Sequence, residues 1–189
     1  MNVRDSSKKV SDSMPVLARA VRTVPVLALL IACRSTMGPA AHASNERNNT
    51  PMDVTLLTKA QPKEWYQPGS TPLFLADVLD ESSPSPMSVG FALYAVGASN
   101  DWTVTYDETL VITKGRFTVI AHGRETTARA GEAIFLPKGT PLTYRADEAT
   151  ELVYVTFPHW AEATRKSEHA KALETFKAVP PAATAGASK

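Results

Sequence analysis

The sequence contains very little cysteine: Cys33 is the only one among 189 residues. The chain after residue 33 can therefore form no internal disulfide, and a folded body there must be held together by its core alone. Long apolar runs are also lacking, and the run at residues 24–33 covers only about half of a bilayer core. The formal net charge of +1 gives no reason to expect a nucleic-acid partner.

The first 43 residues differ in charge from the rest of the chain. They carry six basic and two acidic side chains, whereas the remainder carries 14 basic and 17 acidic ones. A basic flank, the apolar run at 24–33 and the small-residue site Ala41-His42-Ala43 are the parts of a secretory signal peptide. We therefore expect residues 1–43 to be a leader and the protein to be exported to the periplasm, with Ser44 as its first mature residue. Met14 is a more typical start than Met1.

Cys33 allows a second interpretation of this leader. It ends the tetrad Leu30-Ile31-Ala32-Cys33, which resembles a bacterial lipoprotein box. Cleavage before Cys33 would leave a lipid-anchored, membrane-attached protein in place of a free one. A disordered N-terminal arm without any export role is the third alternative.

Residues 73–157 have the pattern of an all-β protein. Short segments rich in β-branched and aromatic residues follow one another at about ten-residue spacing, with glycine- and proline-containing turns between them. This pattern is typical of a sandwich or barrel. The predicted strands are 73–79, 87–96, 102–108, 109–113, 116–121, 133–136 and 151–157.

The segments on either side of this region have different compositions. Residues 44–71 are polar and turn-rich, which predicts a tether. Residues 161–179 place Ala170, Leu173 and Phe176 at helical spacing, which predicts one C-terminal helix. We expect residues 180–189, which begin with two prolines and continue with small polar residues, to be a disordered tail.

Two spacings within the β region resemble those of the cupin superfamily. Gly131, Pro137 and Gly139 match the glycine–proline–glycine pattern of the second cupin motif, and Glu108 lies seven residues before Gly115, as in the first. The resemblance implies one cupin domain at 72–160, a double-stranded β-helix or jelly-roll barrel, followed by the helix. The string Trp-Thr-Val-Thr-Tyr-Asp-Glu at 102–108 and the segment 154–158 are similar to the cupin domain of the ethanolamine-utilisation EutQ family.

The same alignment predicts that the barrel binds no metal. Metal-binding cupins use three histidines and a glutamate, a ligand set that suits transition ions. The histidine places fall here on Trp102, Val104 and Leu142, which leaves only Glu108. We therefore expect neither a metal nor any other cofactor. The four histidines of the chain lie elsewhere, at His42, His122, His159 and His169.

The replacement of the histidine ligands by apolar residues predicts a pocket inside the barrel. Strand alternation places Trp102, Tyr106 and Glu108 on one face, and the resemblance implies that this face lines the barrel, with Leu142 and Tyr144 opposite. An apolar and aromatic cavity with one carboxyl group suits a small molecule. The alternative is that these aromatic residues are ordinary core.

Three classes of function remain open at this point. The first is an exported, metal-free binding protein for a small metabolite, such as an amino-alcohol. The second is a metal-independent isomerase or lyase with Tyr106 and Glu108 as its acid–base pair. The third is a structural or assembly role without a ligand. The resemblance implies ancillary work in ethanolamine or acetate metabolism and a homodimer, since cupins commonly dimerise through their sheets. It also implies an acetate kinase activity, against which the lack of a glycine-rich phosphate loop argues.

Overall fold

The computed structural model describes residues 53–187. The predicted leader, its apolar run, Cys33 and both cleavage sites lie outside these residues. None of the helices in this range has the length and hydrophobicity of a transmembrane span.

Strands dominate the described residues, as the sequence pattern predicts. One α-helix and two 3₁₀ helices, at Ala170–Thr175 and Pro181–Gly186, are the helical elements there. The α-helix, α1, is Trp160–Arg165. The strands are β1 Trp65–Pro68, β2 Leu73–Leu79, β3 Ser88–Tyr94, β4 Ser99–Thr103, β5 Asp107–Lys114, β6 Arg116–Ala121, β7 Arg124–Arg129, β8 Ala133–Leu136, β9 Pro141–Ala146, β10 Thr150–Phe157 and β11 Phe176–Val179.

The strands form two antiparallel sheets. The larger sheet has the order β11-β1-β2-β3-β10-β5-β8, and the smaller has the order β4-β9-β6-β7. Strands distant in sequence are neighbours, such as β3 with β10 and β5 with β8, which is the connectivity of a jelly roll. The predicted all-β fold is confirmed.

The main core lies between the two sheets. Inward-facing residues alternate with outward-facing ones along the strands, so that β5 buries Glu108, Leu110 and Ile112 while Asp107 and Val111 are exposed. A second apolar cluster lies on the outer side of the larger sheet and consists of Trp65, Phe74, Ala76, Leu93 and Ala187.

One turn depends on glycine for two separate reasons. Gly115 joins β5 to β6 with a φ of +82°, a conformation that other residues rarely adopt. A Cβ at this position would also lie 2.3 Å from the carbonyl oxygen of Ala149. The turn predicted at residues 114–115 is therefore required by both backbone conformation and space.

The prediction of a single C-terminal helix at 161–179 is wrong for most of that range. The helix ends at Arg165, and Phe176–Val179 is the edge strand β11, paired with β1 along four residues. The apolar spacing of residues 170–176 resembles a helical face, but pairing with β1 and burial of Phe176 against other aromatic residues outweigh that local preference. The 3₁₀ helix at Ala170–Thr175 is the helical part that remains.

Both predicted flanking segments contain ordered elements. Trp65–Pro68 is strand β1, inside the predicted tether, and Trp65 is buried. In the predicted tail, Pro181–Gly186 is a 3₁₀ helix and Ala187 is buried in the outer cluster. These segments are ordered because single apolar residues, Trp65 and Ala187, pack onto the sheet, although their composition predicts a tether and a disordered tail.

The strand predicted at 102–108 is interrupted. Strand β4 ends at Thr103 and β5 begins at Asp107. Between them, the backbone of Val104 bonds with Thr140 and Gly139, at 3.1 and 2.7 Å. The side-chain alternation continues through this break, because Val104 and Tyr106 are both buried.

Candidate functional site

A cavity of about 60 Å³ lies between the sheets. Its walls are largely aromatic and aliphatic, and Glu108 is the one carboxyl group among the residues that line it. Tyrosine rings and Asn100 complete the polar part of the wall. The aliphatic lining residues are Leu73, Leu75, Ala92, Leu110 and Leu152.

Glu108 is buried on the inward face of β5, with 7% of its surface exposed. The Tyr144 hydroxyl donates a 2.6 Å hydrogen bond to its Oε2, and this is the only hydrogen bond to its side chain among the described residues. Burial raises the pKa of Glu108 to about 7, and the bond from Tyr144 acts in the opposite direction. A buried carboxyl with a free oxygen is therefore balanced between its charged and neutral forms at neutral pH.

Four tyrosines surround this carboxyl group. Tyr94, Tyr106, Tyr144 and Tyr154 all line the cavity, and burial raises the pKa of each phenol above its usual value. The phenols therefore stay neutral. Tyr144 and Tyr154 donate their O–H groups to the carboxyl groups of Glu108 and Asp77, whereas the O–H of Tyr106 is available to a ligand.

Three aromatic side chains, Trp102, Trp160 and Phe176, form an aromatic cap at one end of the cavity. Their ring centroids lie 5.6–6.4 Å apart, within the range of favourable edge and tilted contacts. The indole N–H of Trp102 donates to the hydroxyl of Tyr106 at 2.9 Å. Trp160 begins α1 and Phe176 begins β11, so the C-terminal segment completes the cavity wall.

A second carboxyl group, that of the half-buried Asp77, holds two side chains of the cavity wall in place. Asp77 faces inward from β2 and accepts hydrogen bonds from the Tyr154 hydroxyl at 2.7 Å and from the Trp160 indole. Burial raises the pKa of Asp77 to about 6, against the effect of these two donors. Both donors line the cavity, so Asp77 fixes the orientation of two side chains of the cavity wall.

His159 lies beside this group but outside the cavity. Its Nδ1 is 3.1 Å from the Ser88 hydroxyl and its Nε2 is 2.8 Å from the Ser85 carbonyl oxygen. Donation from Nε2 to the carbonyl leaves Nδ1 to accept from Ser88. The ring therefore anchors the start of α1 to the loop before β3.

The cupin metal positions do not fit a metal. Trp102 belongs to the aromatic cap, and Val104 and Leu142 are buried apolar core residues. None of the three can donate an electron pair to a metal, and the described residues contain no group of three or more His, Cys, Asp or Glu side chains suited to one. Glu108 alone provides too few ligands for a transition ion.

The structure brings together most of the residues selected from the sequence. Trp102, Tyr106, Glu108 and Tyr144 line the cavity, whereas Leu142 is buried in the surrounding core and does not line it. Tyr106 and Glu108, which the sequence suggested as an acid–base pair, are not hydrogen-bonded to each other: Glu108 accepts from Tyr144, and Tyr106 accepts from Trp102. Sequence reasoning missed five residues that build or support the wall, namely Asp77, Tyr94, Tyr154, Trp160 and Phe176.

A family described as "Ethanolamine utilisation protein EutQ" matches residues 57–162, which is more than half of the chain and includes the whole barrel from β1 to β10. The chain belongs to the EutQ family. The resemblance seen in the sequence is thereby confirmed, and Glu108, Asp77 and Trp160 all lie within the matched part of this EutQ-family cupin. Phe176 lies beyond it.

Curated relatives of the EutQ-family chain carry the name "Acetate kinase EutQ". The protein from Clostridioides difficile is 39% identical over 62 residues, which are 32% of this chain and 40% of the relative. That from Salmonella typhimurium is 31% identical over 84 residues, 44% of this chain and 36% of the relative. The EutQ-family chain thus spans about two fifths of the length of the curated relatives it matches.

Two solved structures are also similar to this chain. The putative ethanolamine utilization protein Q of Salmonella typhimurium is 30% identical, over 46% of this chain and 70% of that one, with a TM-score of 0.45. A protein of unknown function from Rhizobium leguminosarum is 27% identical, over 57% of this chain and 100% of that one, with a TM-score of 0.46.

Proposed function

We propose that this EutQ-family cupin binds a small primary amine, an amino-alcohol of about the size of ethanolamine, inside its barrel. The observation that carries the proposal is the buried Glu108 carboxyl group, which has one hydrogen bond and is the one carboxyl group that borders the cavity. A bound ammonium group would supply the counter-charge that Glu108 lacks.

The size of the cavity supports a very small ligand. A volume of 60 Å³ is about that of two water molecules, at roughly 30 Å³ each in the liquid, so only a molecule of a few non-hydrogen atoms fits there. Ethanolamine and acetate both fall in this range, whereas a nucleotide is far too large for the cavity.

The chemistry of the wall supports a cation with a hydroxyl group. An ammonium group beside Glu108 favours the charged carboxylate and would lower its pKa from about 7. Tyrosine ring faces attract a desolvated cation by about 0.5–2 kcal/mol each. The phenol groups of Tyr94 and Tyr106 provide hydrogen-bond partners for the hydroxyl end of the ligand.

A second candidate function uses the same carboxyl group in its neutral form. Protonated Glu108 could donate to a carboxylate such as acetate, the substrate that the name of the curated relatives suggests. Glu108 with Tyr144, bonded at 2.6 Å, is also the pair that would transfer protons in a metal-independent isomerase or lyase. A barrel without any ligand, serving assembly alone, is the remaining alternative.

Native mass spectrometry of the protein purified from its own host tests the proposal. The expected result is a mass increment that matches a small amine and disappears in Glu108→Gln. A protein that carries nothing, and gains nothing when amines are added at millimolar concentration, would contradict it. An increment that matches a carboxylic acid would favour the second candidate.

We also propose that the protein works outside the cytoplasm. The basic flank, the apolar run at residues 24–33 and the Ala41-His42-Ala43 site support export. Mass spectrometry of the mature N-terminus distinguishes the two forms: Ser44 as the first residue indicates a free periplasmic protein, and an acylated Cys33 indicates a lipoprotein. An intact Met1 or Met14 on protein from the cytosol would contradict export.

A further inference from the structure

A surface groove lies beyond the aromatic cap of the cavity. Its walls come from β1 and the residues just before it, from the end of β2 and the loop that follows, and from α1. Among residues 53–187, Trp160 and Phe176 are the two that line both the groove and the cavity. Their rings therefore form a partition between the 60 Å³ cavity and a much larger space outside.

The two rings of the partition are held in place by different contacts. The indole N–H of Trp160 donates to both carboxylate oxygens of Asp77. Phe176 is fixed through its backbone, because β11 pairs with β1 along four residues. Since Trp160 has an anchor of its own, removing the Phe176 ring would leave the other half of the partition in place.

Packing also restrains the Phe176 ring. Its centroid lies 5.8 Å from that of Trp102 and 5.6 Å from that of Trp160, in edge and tilted contacts that are favourable for aromatic pairs. A half-buried ring with an aromatic neighbour on two sides has little freedom to turn aside. The cavity therefore ends, on the side of the groove, where this ring begins.

We propose that Phe176 determines the specificity of the barrel, by limiting the length of the amine that can bind beside Glu108. This inference rests on the proposed binding of a small amine. With its ammonium group beside Glu108, an amino-alcohol longer than ethanolamine would meet the partition. Without the Phe176 ring, the hydroxyl end of the longer molecule would reach the groove, where water and polar side chains such as Asp80 and Tyr66 are available to it.

The residue that sets this limit lies outside the part of the chain that matches the EutQ family. The match ends at residue 162, whereas β11 is Phe176–Val179. The family match includes Glu108 and Trp160, so the carboxyl group and one half of the partition lie in the shared part. The other half comes from this chain's own C-terminal segment, and the length limit is a feature of that segment.

Calorimetric titration of the full chain, as its host processes it, tests the proposal. The two ligands are ethanolamine and aminopentanol, which carries its amine and hydroxyl groups at opposite ends of a longer chain. Wild type should bind aminopentanol at least about tenfold more weakly than ethanolamine, since even one additional methylene in a fitted pocket costs about tenfold or more. Phe176→Ala should lose this preference. Phe176→Leu, which keeps an apolar side chain at the end of β11, should show a smaller preference than wild type.

Phe135→Ala is the matched control, because it removes the same ring from a position that is 63% exposed and does not line the cavity. It should keep the wild-type preference for ethanolamine. Circular dichroism verifies that each variant is folded. A wild-type preference that is unchanged in both Phe176 variants, or that Phe135→Ala abolishes equally, would overturn the proposal.

Pentanol separates this inference from the proposed function, because it has the longer chain but no charge for Glu108 to bind. It should bind Phe176→Ala and not wild type. If no amine binds either protein, the proposed function fails, and pentanol alone then decides the role of Phe176. Equal behaviour of the two proteins toward pentanol would overturn the length limit.

Discussion

Both carboxylate oxygens of Asp77 accept the indole N–H of Trp160, at 3.0 and 2.9 Å. Oδ1 also accepts the hydroxyl of Tyr154 at 2.7 Å. Strand β2 thereby fixes a residue of β10 and the first residue of α1, both of which line the cavity. Asp77 does not line the cavity, and we assign it a positioning role for the cavity wall.

Replacing Asp77 tests this role. Asp77→Ala leaves the buried Tyr154 hydroxyl and the half-buried Trp160 indole without an acceptor, and each unsatisfied group costs about 1–3 kcal/mol. We expect the free energy of unfolding to fall by about 2–5 kcal/mol and the tryptophan emission to shift to longer wavelength in the native state. Urea titration with fluorescence detection measures both. Asp80→Ala, which loses bonds to Ser82 on the surface, is the control, and equal losses in the two variants would contradict the role.

Gly90 on β3 lies directly under the ring of Tyr154. A Cβ at residue 90 would lie 2.1 Å from both Cζ and the hydroxyl oxygen of that ring. Gly90→Ala should therefore displace Tyr154 from Asp77 and lower the free energy of unfolding by about 1–3 kcal/mol or more. Gly186→Ala, where a Cβ meets nothing within 4 Å, should be neutral. A Gly90→Ala protein as stable as wild type would contradict the expectation, because it would mean that the Tyr154 ring adopts another conformation at no cost in stability.

The raised pKa of Glu108 predicts how stability depends on pH. Its pKa is about 7 in the fold and about 4.5 ordinarily, so between these values the folded state holds a proton that the unfolded chain has lost. Stability must therefore fall as pH rises through this window, and the full effect is about 3 kcal/mol. Asp77, with its pKa raised to about 6, acts in the same direction.

Glu108→Gln cannot ionise and keeps an acceptor for Tyr144. Its free energy of unfolding relative to wild type should rise steadily from pH 5 to pH 8 in chemical denaturation. A constant difference between the two proteins over this range would mean that Glu108 titrates normally.

The sequence predicted elements well where local pattern and tertiary structure agree. The bounds of β2 and β8 match the prediction residue for residue. By contrast, β7, Arg124–Arg129, has no apolar alternation, because only Ala128 among its residues is buried. The spacing of Phe176 predicts a helix, although pairing of β11 with β1 decides its conformation.

The sequence predicts the residues around Glu108 but not those that complete the cavity wall near α1 and β2. Glu108 and its aromatic neighbours follow from motif spacing and alternation, both of which are local. The partnership of Asp77 with Trp160 joins residues 83 positions apart, and no local pattern encodes such a contact. The choice of Tyr144 over Tyr106 as the partner of Glu108 depends on side-chain geometry, which alternation alone does not determine.

The apolar residues at the cupin ligand positions predict a protein without bound transition metal. Elemental analysis of protein purified from its host is expected to find well under one equivalent of iron, manganese, nickel, copper or zinc. A double variant with Val104→His and Leu142→His, which restores two ligands beside Glu108, should increase zinc uptake if the alignment is right. About one equivalent in wild type, lost in Glu108→Gln, would contradict the prediction.

The most direct test of the account is calorimetric titration of wild type and Glu108→Gln with ethanolamine, choline and acetate. The account predicts that ethanolamine binds wild type, that choline, which is too large for the 60 Å³ cavity, binds weakly or not at all, and that Glu108→Gln loses ethanolamine binding while remaining folded. Acetate should not bind above pH 7, where Glu108 is charged. Failure of ethanolamine to bind wild type at millimolar concentration, or equal binding by Glu108→Gln, would contradict the central claim.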